Sequence, residues 1–69
     1  SALTEMGDFY SKLKDFTHAY KYLIEAYNLS KQSFNKENLN KIQTRIEDIK
    51  HRISEQEFTK LQDEYGKQN

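Results

Sequence analysis

The chain has 69 residues, 11 basic and 11 acidic side chains, no cysteine, no proline and two glycines. Balanced charge leaves no electrostatic footprint for a nucleic acid, and the lack of cysteine excludes disulfides and thiolate metal sites. At this length a single core rarely contributes more than about 3–5 kcal/mol, so one domain is the ceiling and a partner is expected to cover part of the apolar surface.

The first predicted element is a helix of roughly three turns. Leu3, Met6, Tyr10 and Leu13 recur at 3-4-3 spacing, which places them on one helical face. Lys14-Asp15 interrupts that pattern and reads as a tight interhelical turn. A second helix then carries Phe16, Ala19, Leu23, Ala26 and Ser30 on one face and Tyr20, Ile24 and Tyr27 on another, with Tyr22 and Leu29 beside them. A helix apolar nearly all round must be covered from two sides, and the first helix can cover only one. The pattern lapses through Ser30, Lys31, Gln32 and Ser33, and Asn35 is placed to cap a third helix.

That third helix is predicted over residues 35–66. Leu39, Ile42, Ile46, Ile49 and Ile53 recur at 3-4-3-4 spacing, a run of a and d positions. Beyond Ile53 that register would put Gln56, Lys60 and Asp63 in the seam, whereas the apolar residues are Phe58, Leu61 and Tyr65. The reading is a stutter within one long, partly coiled-coil-like helix, with Gly66 as a weak stop. The flanking positions, Asn38, Gln43, Arg45, Lys50 and Arg52, are basic or neutral. In a parallel homodimer Arg45 would approach Lys50 of the second chain, which disfavours that pairing by a few tenths of a kcal/mol, roughly. The isoleucine stripe is therefore expected to fold over the open face of the second helix, since each aliphatic side chain buried contributes about 1.5–3 kcal/mol before entropy. Phe58, Leu61 and Tyr65 are then left over, and a homodimer through this distal stripe is the expected way to bury them.

Small residues where two antiparallel helices cross are what a helical hairpin needs: Gly7 and Ala19 are spaced to let the backbones approach, Tyr10 to fill the space beside them, and Ala26 to leave room for a neighbouring hairpin. Over residues 2–33 the chain resembles the tetratricopeptide repeat. Leu3 stands where that pattern has Trp, Met6-Gly7 stands for its Leu-Gly, Tyr10 for its Tyr, Ala19 and Ala26 for its two alanines, and Leu23 for its Phe. The closing Pro is missing; Lys31 stands in its place, which implies a terminal repeat that passes into a different element. The stretch Ser33-Phe34-Asn35-Lys36-Glu37-Asn38 with Lys41-Ile42 is similar to junctions after the last repeat in bacterial sensory proteins. Together the resemblances imply an all-α, cytoplasmic, non-enzymatic interaction and dimerisation module: the last repeat and helical connector of a signal-transduction protein, relaying conformational change to an output domain outside this chain. The alternative they imply is the peptide-binding part of a repeat-containing regulator, with the tyrosines of the second helix lining a groove.

No catalytic, cofactor or metal site is expected. His18 and His51 lie on different helices without companions at ligand spacing, and His51, between Lys50 and Arg52, lacks the His-Glu context of a phosphoacceptor. Glu47-Asp48 and Glu55-Glu57 read as solvated helix faces. No apolar run approaches the ~18 residues of a membrane span.

Overall fold

A computed structural model describes residues 1–66 as four helices: α1 (Ala2–Lys12), α2 (Phe16–Gln32), α3 (Lys36–Arg52) and α4 (Glu55–Tyr65). The all-α expectation holds. Each helix starts on a side-chain cap of the kind that satisfies an otherwise unpaired backbone N–H. Ser1 accepts from the Thr4 N–H, Asp15 from His18, Asn35 from Asn38 and Ser54 from Glu57.

The first two turns share one construction. At the end of α1 the Lys14 N–H donates to the Ser11 carbonyl and the Asp15 N–H to the Tyr10 carbonyl; at the end of α2 the Phe34 N–H donates to Lys31 and the Asn35 N–H to Ser30. This paired closure needs a left-handed residue at its pivot. Lys14 (φ 62°) and Phe34 (φ 56°) occupy it, at a cost of about 1–2 kcal/mol each for a residue with a Cβ. Asp15 and Asn35 come immediately after as N-caps, so each turn stops one helix and starts the next.

The third junction corrects the sequence reading. Residues 35–66 do not form one long helix: Ile53 (φ −123°, ψ 170°) and Ser54 (φ −70°, ψ 158°) are extended. A continuous helix over that range would be about 48 Å long at 1.5 Å per residue, and the longest dimension of the fold is 31 Å. The physical reason is a capping box: the Glu57 N–H donates to Ser54 Oγ at 3.1 Å while Glu57 Oε1 accepts from the Ser54 N–H at 3.3 Å. Two backbone donors at the start of α4 are thereby satisfied at the point where the apolar register shifts. Ser54→Ala is expected to cost about 1 kcal/mol, measured by urea denaturation, with the loss concentrated in amide protection of α4.

α2 lies at the centre and packs against α1, α3 and α4. The buried core consists of Ala19, Tyr20, Leu23 and Ala26 from α2, Ile42 and Ile49 from α3, and Phe58 and Leu61 from α4. Leu3 and Tyr10 of α1, Ile46 and Ile53 of α3 and its end, and Tyr65 of α4 pack around it half-buried. Leu39 is likewise half-buried. The distal stripe is therefore covered within the chain, because the bend at Ser54 lets α4 fold back onto α2. The inference that one chain cannot bury both stripes fails, and with it the placement of a dimer contact on Phe58 and Leu61.

Candidate interaction surface

α1 divides into three flanks, and they carry different chemistry. The first faces α2. Gly7 is buried there, and a Cβ added to it would stand 2.7 Å from both Cγ and Cδ2 of Leu23, which is itself fully buried. Leu3 and Tyr10 lie on this flank as well, and Ala19, whose carbonyl oxygen lies 3.6 Å from the same added Cβ, is buried on α2. The second flank is polar and meets α3: Arg45 Nε donates to Asp8 Oδ1 at 2.8 Å, and Arg45 Nη1 also reaches the Lys41 carbonyl at 3.2 Å. Arg45, which the heptad pattern turns toward a second chain, is tied to its own α1.

The third flank carries apolar side chains into solvent. Met6, Phe9 and Leu13 are 37%, 55% and 60% exposed, and Leu29 of α2 is 56% exposed. The 3-4-3 spacing groups Met6 and Leu13 with Leu3 and Tyr10 on one face. The structure separates them: 100° per residue turns Met6, Phe9 and Leu13 away from α2 and onto one stripe of their own. An aromatic ladder joins this stripe to α2. Phe9 meets Tyr10 edge-on at 5.4 Å, and the Tyr10 ring stacks on Tyr22 at 5.6 Å and on His18 at 5.1 Å.

The histidines have structural surroundings. His18 Nδ1 lies 2.8 Å from Oδ2 of Asp15, the residue that caps α2, and its ring is part of the ladder. His51 is exposed in the last turn of α3, where a cationic side chain interacts favourably with the helix dipole. Among the described residues no group of three or more His, Asp or Glu gathers as a metal ion would require, and no helix is long and apolar enough to cross a membrane.

The α2 tyrosines that would line a peptide groove already have partners. Tyr20 is buried with its ring edge-on to Phe58 at 5.6 Å, Tyr22 stacks under Tyr10, and Tyr27 packs half-buried on the core. Two polar contacts have no signal in the periodicity: Asp8 with Arg45, and the Asn38 amide, which donates to the hydroxyl of buried Ser30 at 3.0 Å.

Burial pushes the Tyr20 hydroxyl above its ordinary pKa of 10.0. An acid held neutral by the fold contributes stability that is complete below about pH 10 and is lost as pH rises through the raised value. Tyr20→Phe is accordingly expected to flatten the decline of stability above about pH 10, read by urea denaturation across the alkaline range. An unchanged alkaline slope would mean that this hydroxyl ionises as freely in the folded chain as in the unfolded one.

No protein-family model, curated protein or solved structure matches this chain.

Proposed function

We propose that the chain is a cytoplasmic, non-enzymatic protein-interaction and dimerisation module. Its framework is a helical hairpin of the tetratricopeptide-repeat kind, closed on one side by α3 and α4 and open on the other. The observation that carries this reading is the exposed Met6–Phe9–Leu13 stripe with Leu29 of α2 also exposed. Apolar side chains aligned on one helix face and left open while the opposite side is closed are what an association site offers.

A terminal repeat of a bacterial signalling protein is the setting we assign to it, on the Leu-Gly-x2-Tyr-like spacing around Gly7. Relay through rotation of one long helix is not part of the proposal, because the break at Ile53 and Ser54 removes that lever. The alternative, a peptide receptor, has Tyr20, Ile24 and Tyr27 beside a cleft between α2, α3 and α4. It is less favoured because the Tyr20 and Tyr22 rings pack on Phe58 and Tyr10 of the chain itself.

A surface used for association is dispensable for folding. The Phe9→Ser/Leu13→Ser double variant, studied at about 1 μM, where association with a dissociation constant above roughly 10 μM is largely absent, is expected to keep the thermal midpoint of the parent. A loss comparable to a core truncation, about 2–5 kcal/mol, would make the stripe scaffold and sink the reading.

A further inference from the structure

We infer that the open stripe of α1 pairs with the same stripe of a second copy of this chain, the two α1 helices running antiparallel. The inference rests on the interaction reading above and names its partner. Ala2, Met6, Phe9 and Leu13 recur at 4-3-4 spacing, the periodicity of a two-helix seam, and all are exposed. Asp8 lies on a different flank, held to Arg45 on α3, so α3 and the stripe do not compete for the same side of α1.

Charge selects both the partner and the direction. Glu5 and Lys12 are exposed and border the stripe on one flank, seven residues apart, so they occupy equivalent positions two turns from each other. In an antiparallel pair related by a two-fold axis between Met6 and Phe9, the start of one helix lies beside the end of the other on the same flank. Glu5 of each copy then meets Lys12 of its partner, and the two-fold makes this favourable contact twice. A parallel pair sets Glu5 level with Glu5 and Lys12 level with Lys12, and loses both contacts.

The other border agrees. It is formed by Leu3 and Tyr10, again seven residues apart, and antiparallel pairing brings Leu3 of one copy to Tyr10 of the other, apolar against apolar. Tyr10 is already fixed by its stack on Tyr22, so little side-chain freedom is lost on association. An α1 of 11 residues gives a contact about 16 Å long, which belongs with small, transient interfaces. The expected dissociation constant is on the order of 0.1 mM.

The chain contains no cysteine, so thiols can be placed singly. Glu5→Cys and Lys12→Cys chains, mixed at a few hundred micromolar and oxidised, are expected to form the mixed disulfide faster than either forms a disulfide with itself. Sedimentation equilibrium on the parent should show a monomer–dimer equilibrium. Glu5→Lys should weaken it about tenfold at low salt, and the Glu5→Lys/Lys12→Glu exchange should restore it. Faster self-coupling of each thiol variant would overturn the antiparallel arrangement, and a parent that stays monomeric at several hundred micromolar would overturn the pairing altogether. Self-coupling leaves the proposed function standing and a monomeric parent removes its dimerisation half, leaving association with another protein, whereas loss of the fold in Phe9→Ser/Leu13→Ser at 1 μM removes the interaction reading itself.

Discussion

Gly7→Leu is expected to destabilise the chain by about 2–3 kcal/mol, the upper part of the range for overpacking. A Cβ alone at this position stands 2.7 Å from two atoms of Leu23, and three further carbons have to be accommodated beyond it. Leu23 has no exposed surface through which to yield. Leucine is a better helix former than glycine by roughly 0.8 kcal/mol, so propensity opposes the expected sign and a net loss isolates the steric cost. The check is urea denaturation of Gly7→Leu, of Leu23→Ala and of the double variant. Removing Leu23 alone costs about 2–5 kcal/mol, but in the double variant the new side chain can occupy the space vacated. The pair should therefore lose well under the sum of the single losses, a coupling expected only of residues in contact. Additive losses, or a melting temperature untouched by Gly7→Leu, would place Gly7 away from the crossing and remove the central residue of the hairpin reading.

The hairpin is legible in the sequence because close packing leaves a compositional trace. A glycine and an alanine at the crossing, a Lys-Asp interruption between two periodic runs and an Asn ahead of the third run all report local constraints that a one-dimensional pattern can hold. The break between α3 and α4 leaves a trace as well. Ser54 and Glu57 form the Ser-x-x-Glu signature immediately before Phe58, and a capping box is a start signal of its own. Reading Phe58, Leu61 and Tyr65 as a stutter gives the shift in register a coiled-coil cause when a helix start accounts for it with fewer assumptions. The orientation of α1 is harder to read. Leu3, Met6, Tyr10 and Leu13 form a plausible apolar face, and so do Met6, Phe9 and Leu13; which set meets α2 is decided by Gly7, since the flank with the least bulk is the one that can approach most closely. The Asp8–Arg45 pair has no local signature at all. It joins residues that only the packing of α1 and α3 around α2 brings together.

Leu61→Asp is expected to destabilise the monomer by more than about 3 kcal/mol, through lost apolar burial and an unpaired carboxylate placed in the core. Leu61 and Phe58 are nearly buried, and the ring of Phe58 meets that of Tyr20, so α4 is held to α2 by these few side chains. For a core that contributes on the order of 3–5 kcal/mol in total, the substitution should release α4 or unfold the chain outright. Hydrogen exchange reads the difference: release abolishes amide protection over residues 55–65 while α2 stays protected, whereas unfolding abolishes both. Lys41→Glu is the control. Lys41 is exposed and its ammonium pairs with exposed Glu37 one turn away, so its reversal should stay within about 0.5 kcal/mol. The decisive variable is concentration. Burial of Leu61 within its own chain makes the loss equal at 1 μM and at several hundred micromolar, because no second copy is involved in the contact. If dilute Leu61→Asp keeps its stability and its α4 protection, and differs from the parent only in mass at high concentration, then the distal stripe serves a dimer after all and α4 does not fold back onto α2.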